Sequence, residues 1–141
     1  KLDGDIGILA NGAGLSMSTL DVVAEAGGRP ANFLDAGGGS RAEAITSAVE
    51  VILSDDRVKA VLFNIFGGIT RGDEVATGLI EAFKQINPSV PFVVRLDGTN
   101  GEEGRGLLAQ ADLPNVHIES TMDGAAQKVV ELAKQAEGAP A

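Results

Sequence analysis

The sequence contains no cysteine, tyrosine or tryptophan, and it has a single histidine. Without cysteine there is no disulfide framework and no thiolate metal site, a composition compatible with a reducing compartment. With Phe as the only aromatic, at five positions, stacking platforms for bases or a flavin are scarce. No apolar run approaches the roughly eighteen residues needed to cross a bilayer, and no secretory leader is expected ahead of the first strand. Cations are also in deficit. Eleven Lys and Arg against 20 Asp and Glu leave a formal charge of −9, which disfavours non-specific attraction to nucleic acid or acidic membranes. What is present suits a soluble globular protein: 44% hydrophobic and 22% charged residues over 141 positions, enough for one compact domain and too few for two. Glycine is plentiful, at 19 positions, and it is clustered.

Five short apolar runs alternate with five helical patterns. Strands are expected at 6–10, 32–36, 60–66, 91–96 and, weakly, 116–119. Helices are expected near 18–26, 41–53, 71–86, 102–111 and 122–136. Inward stripes at helical spacing are Leu20, Val23 and Ala24; Ile45, Ala48, Val49 and Ile52; Val75, Ala76, Leu79, Ile80 and Phe83; and Ala126, Val129, Val130 and Ala133. Ser40 with Glu43, and Thr70 with Asp73, have capping-box spacing, and Pro88 stops the helix before it. The run 60–66 is the most hydrophobic and suits the centre of a parallel sheet buried on both faces. Strict strand–helix alternation implies right-handed crossovers and a doubly wound, three-layer α/β fold. Five such units favour the flavodoxin-like strand order 2-1-3-4-5. Residues 1–141 are read as one such domain, with 1–5 as the remnant of a linker and 138–141 as a tail.

In an open sheet of this order, ligands bind beyond the strand carboxyl ends, where the order reverses between strands one and three. Strand one leads into Asn11-Gly12-Ala13-Gly14. Strand three leads into Gly67-Gly68-Ile69-Thr70 and then a helix. Glycine allows close backbone approach, and a helix N-terminus presents unpaired N–H donors with about half a positive charge. An anion is the natural guest, received by backbone amides and so compatible with an acidic chain. Glycines at strand–helix junctions also serve as plain turns, and only the joint placement of the two motifs adds the ligand role. Asn11 is either a turn former or a ligand donor. Gly37-Gly38-Gly39 lies away from the reversal and reads as a tight turn.

Other candidates carry less. His117, in the weak last strand, lacks the partners of a triad or metal site and reads as structural or surface. Arg95 and Arg105 are either anion contacts or structural ion pairs. Asp55 and Asp56 read as a solvated turn, and Glu102 and Glu103 as complements to a helix dipole. A dinucleotide fingerprint, a phosphate loop and a nucleophile elbow are each missing a required residue. Taken alone, the residues describe an anion-binding module with no evident nucleophile, base or metal.

Several motifs together resemble one family. Asn11-Gly12-Ala13-Gly14-Leu15 with Asp21, Pro30 to Asp35 leading into Gly37-Gly38-Gly39, Asn64 to Ile69, and Val93-Val94-Arg95-Leu96 with Gly98 and Asn100 are similar, in order and along essentially the whole chain, to the carboxy-terminal domain of succinate–CoA ligase β subunits. The resemblance implies a part of a tricarboxylic acid cycle ligase that forms ADP or GDP. It implies an α subunit as partner, which binds CoA and carries a phosphohistidine. It also implies an amino-terminal ATP-grasp region, absent from this sequence, that binds nucleotide and Mg²⁺. The fragment itself would hold no cofactor or metal and would be inactive alone. By motif, Asn11, Gly68, Ile69 and Thr70 would contact succinate, while backbone amides at Gly67 and Gly68 would stabilise the transferring phosphate. A cytoplasmic location follows, or the mitochondrial matrix in a eukaryote. Two departures stand out: Thr70 replaces a commonly aliphatic residue, and Gly72 a frequent cysteine. A malate–CoA ligase shares the architecture. A receiver-like binding module is the rival of a different class, but the acids, acceptor Asp and Lys that a receiver needs are missing.

Overall fold

A computed structural model describes residues 4–10, 13–35, 42–67, 72–86, 90–98, 101–111, 113, 115–119 and 121–138. Its elements alternate throughout: β1 (Ile6–Ala10), α1 (Ala13–Glu25), β2 (Pro30–Asp35), α2 (Ala42–Leu53), β3 (Ala60–Gly67), α3 (Gly72–Ile86), β4 (Phe92–Gly98), α4 (Gly101–Ala111), β5 (Val116–Ile118) and α5 (Met122–Gly138). The five strands form one parallel sheet in the order β2-β1-β3-β4-β5. The strand order expected from the sequence is the one observed.

Each face of the sheet has its own core. Leu9, Val61, Phe63, Ile65, Phe92, Val94 and Leu96 point to one side and pack with Ile45, Val49 and Ile52 of α2, Val75, Ala76 and Leu79 of α3, and Leu108 of α4. Ile6, Ile8, Ala60, Leu62 and Val93 point to the other, against Val23 of α1 and Ala125, Ala126, Val129 and Val130 of α5. Successive residues of β3 therefore serve opposite cores, as the two-residue period of a strand requires. This explains why the 60–66 run is apolar without alternation. Phe83 of α3 meets Phe92 of β4 edge to face, with ring centroids 4.6 Å apart, the arrangement favoured by the ring quadrupoles.

Three local features depart from expectation. Helix α1 begins at Ala13, about five residues before the expected start. The expected start leaves Gly14 in a glycine-rich turn, but glycine carries its main penalty in a helix interior, and the first-turn amides lack intrahelical partners in any case. The inward stripe of α1 is correspondingly different: Thr19 and Val23 are buried, Leu20 is half-buried and Ala24 is exposed. Asp5 also does more than end a linker. Its N–H donates to the Arg29 carbonyl at 2.9 Å and its carbonyl accepts from Lys59 N–H at 2.7 Å, which carries the ladder one residue below β1.

The ends of several elements follow from single residues. Gly27, at φ +94°, closes α1, with Gly28 N–H bonded to Val23 O and Gly27 N–H to Ala24 O. This is the Schellman pattern, whose left-handed residue glycine adopts without strain. Asn115 takes a left-handed turn ahead of β5, at φ 64°, a conformation that asparagine tolerates better than most residues. Thr121 caps α5, its Oγ1 accepting from Gly124 N–H at 3.0 Å. The proposed caps at Ser40 with Glu43 and at Thr70 with Asp73 involve side chains outside the described residues.

Candidate anion site at the switch point

The order β2-β1-β3 puts the reversal of strand order between β1 and β3. Their register pairs Ala10, the last residue of β1, with Asn64. β3 continues three residues further to Gly67, which pairs with Gly98 of β4. Helix α1 begins at Ala13 after β1, and α3 begins at Gly72 after β3. They cover opposite faces of the sheet, with Val23 of α1 in one core and Val75 of α3 in the other. Two helices thus start from adjacent strand ends at the carboxyl edge, and the N-terminal charge of each favours an anion there.

Among the proposed site residues, Gly67 is described as the last residue of β3. Asn11, Gly68, Ile69 and Thr70 lie outside the described residues. Asn11 follows Ala10 directly and Gly68 follows Gly67 directly in the sequence, and the strand ends that precede them, Ala10 and Gly67, belong to neighbouring parallel strands.

Below this edge lies a polar chain that sequence reasoning did not assemble. Asn64, 0% exposed, projects from β3 on the α1 side of the sheet. Its Nδ2 donates to Thr19 Oγ1 at 2.9 Å, and the Thr19 hydroxyl donates to Leu15 O at 2.6 Å. Arg95 of β4, directly opposite Asn64 in the register, donates from Nη1 to Asn64 Oδ1 at 3.1 Å. A guanidinium can only donate, so the amide oxygen must face Arg95 and the amide nitrogen Thr19. Arg95, read from sequence as an anion contact or an ion pair, here serves a buried amide. The available signal was a polar Thr19 at i−4 from buried Val23, together with an Asn in an otherwise apolar strand.

The remaining candidates scatter. Arg105 of α4 donates from Nη1 to the Leu96 carbonyl, which fastens α4 to β4. His117 is half-buried on β5, paired with Val93, and β4 lies between it and β3. Glu102 and Glu103 are exposed in the first turn of α4, as expected for dipole complements. Asp55 is a correction. Its side chain is 5% exposed and accepts from Arg57 at Nε (3.1 Å), Nη2 (3.0 Å) and the backbone N–H (3.1 Å). A fork-shaped donor set allows this carboxylate to be buried where a solvated turn was expected; Asp56, by contrast, is exposed. Among the described residues no three His, Cys, Asp or Glu side chains gather as a metal cage.

Fold and edge together define a class: a doubly wound α/β domain whose strand order reverses between the starts of two helices. The chain belongs to the CoA-ligase family, whose sequence profile matches residues 9–130. It is 63% identical over 134 residues to the succinate–CoA ligase [ADP-forming] subunit beta of Rubrobacter xylanophilus, covering 95% of this chain and 35% of that protein. It is 56% identical over 137 residues to "subunit beta 2" of the same ligase in Archaeoglobus fulgidus, covering 96% and 36%. Wolinella succinogenes has another such subunit beta, 52% identical over 135 residues, with 96% and 34% covered. The chain thus spans about a third of the length of the curated relatives it matches. The crystal structure of PH0766 from Pyrococcus horikoshii shares the fold, with a TM-score of 0.79 at 19% identity over 96% of this chain and 37% of that one.

Proposed function

We propose that this chain is the carboxy-terminal domain of the β subunit of a succinate–CoA ligase, and that it supplies one half of the site where phosphate and succinate meet. The observation that carries the reading is identity of more than half the residues, along nearly the whole chain, with proteins named as that subunit. The switch-point geometry supports it independently, because it offers what phosphoryl transfer asks of a protein.

Such transfer depends on positioning and charge stabilisation more than on a protein nucleophile. Backbone amides at Gly67 and Gly68, which precede α3 in the sequence, stabilise the transferring phosphate. Asn11 and the Gly68-Ile69-Thr70 segment hold succinate beside it. The other components reside elsewhere: nucleotide and Mg²⁺ in the amino-terminal part of the subunit, CoA and the phosphorylated histidine in the α subunit. Their union converts succinate, CoA and ATP or GTP into succinyl-CoA, the nucleoside diphosphate and phosphate. The likeness to the ligase subunits supports a cytoplasmic location, or the mitochondrial matrix in a eukaryote; no described helix is long and apolar enough to cross a membrane.

The test is reconstitution. Full-length β subunit combined with its α subunit is expected to form succinyl-CoA from succinate, CoA and ATP, with malate a poor substitute and this domain alone inactive. Succinyl-CoA formation by the isolated domain would overturn the division of labour. Preference for malate would reassign the substrate.

A further inference from the structure

We propose that Arg95 is a positioning residue for the anion site, acting through Asn64 and Thr19; the inference rests on the function proposed above. Ala10, Asn64 and Arg95 form one row across β1, β3 and β4, and the row underlies the strand ends that lead into the two glycine-rich turns. Beginning at the Arg95 guanidinium, each hydrogen bond fixes the next. Nη1 orients the Asn64 amide, Nδ2 of the amide orients the Thr19 hydroxyl, and the hydroxyl proton goes to Leu15 O, the third residue of α1. The chain therefore locks the opening turn of α1 to β3, the strand that ends at Gly67.

Asn64 and Thr19 are both fully buried. An apolar pair of similar shape would fill the space without any need for satisfied partners. Such a chain is kept where orientation matters, because linked hydrogen bonds between buried groups fix those groups relative to one another. Its far end is a guanidinium, a cationic donor group. In a protein of net charge −9, Arg95 thus brings a positive charge to the β4 position beside Asn64 of β3. Two effects follow: the helix start is held at a fixed distance from the β3 end, and the local potential favours a phosphate or carboxylate.

The experiment uses the full-length β subunit assembled with its α subunit and compares Arg95→Gln, Arg95→Lys and Thr19→Val. Steady-state KM is read for inorganic phosphate, succinate and nucleotide, together with kcat and the thermal midpoint. Arg95→Gln should raise the phosphate and succinate KM roughly tenfold, the size of one charge-assisted interaction, and leave the nucleotide KM unchanged. Arg95→Lys, which keeps the charge, should recover most of that loss. Thr19→Val, which cuts the chain at its other end and keeps the side-chain shape, should raise the same two KM values about threefold, since a neutral hydrogen bond is the weaker link. Unchanged phosphate and succinate KM in Thr19→Val and in whichever Arg95 variants assemble would overturn the inference. So would equal shifts in all three KM values that track the thermal midpoint, the behaviour of a merely structural residue. A wild-type complex that forms no succinyl-CoA would sink the preceding reading and this one with it, whereas normal wild-type turnover with indifferent variants sinks this one alone.

Discussion

At the scale of single residues, the molecule separates carboxylates and amides by what surrounds them. Asp55 is held by two guanidinium nitrogens and a backbone amide while almost out of solvent. Asp55→Ala removes the acceptor for all three and is expected to lower unfolding free energy by about 1–3 kcal/mol. Arg57→Ala should cost less, about 1 kcal/mol, because that side chain is 43% exposed and water screens what it contributes. Urea denaturation followed by far-UV circular dichroism would measure both, since the chain has no Trp or Tyr to report by fluorescence. Under the proposed function, Asn11 belongs to the chemistry instead. In the assembled ligase, Asn11→Ala should raise the succinate KM about tenfold or more, as loss of a hydrogen bond to a carboxylate does, with the nucleotide KM unmoved. Equal succinate KM in the variant and the parent would remove Asn11 from the site.

At the scale of elements, glycine has opposite consequences in a strand and in a helix. Gly7 lies in β1, where an added Cβ would stand 2.5 Å from Ile52 Cγ2 and 3.5 Å from Val58 Cγ1. The strand reaches its place under α2 only because that methyl is missing. Gly7→Ala should therefore destabilise by about 1–3 kcal/mol through overpacking. Gly106 lies inside α4 with nothing within 4 Å of the same virtual atom, so Gly106→Ala should stabilise by about 1 kcal/mol by relieving the helix of its most flexible residue. Paired thermal melts of the two variants read both signs at once. Shifts in the same direction would contradict this account of where the backbone is crowded.

At the scale of the whole molecule, one sheet separates two cores, and neither closes without it. Leu62 and Phe63 are adjacent in β3, nearly or fully buried, and belong to opposite faces. Truncating either to alanine should cost about 3–5 kcal/mol. Because both faces share β3, each variant should still unfold in a single transition, with far-UV dichroism and amide exchange reporting the same midpoint. Leu62→Ala that loosens α1 and α5 alone, with exchange protection on α2, α3 and α4 intact, would show two separable cores.

Much of the architecture was legible because the signals are local. Alternating apolar runs and helical stripes gave ten elements, and the chirality of crossovers restricted their arrangement, so the order β2-β1-β3-β4-β5 was available without coordinates. The glycine clusters that follow β1 and β3 were legible as well, since a glycine cluster is a chemical fact of the chain. The start of α1 was misplaced because Gly14 carries a turn signal that a helix start overrides. Asp55 was misread because its burial depends on how Arg57 folds back over it. Family and layering could be read from the chain, because both follow from local pattern. The folded molecule alone reveals that Thr19, Asn64 and Arg95 form one hydrogen-bonded chain. Its two side-chain links join residues 45 and 31 positions apart, and no local pattern records which distant donor a buried amide will face.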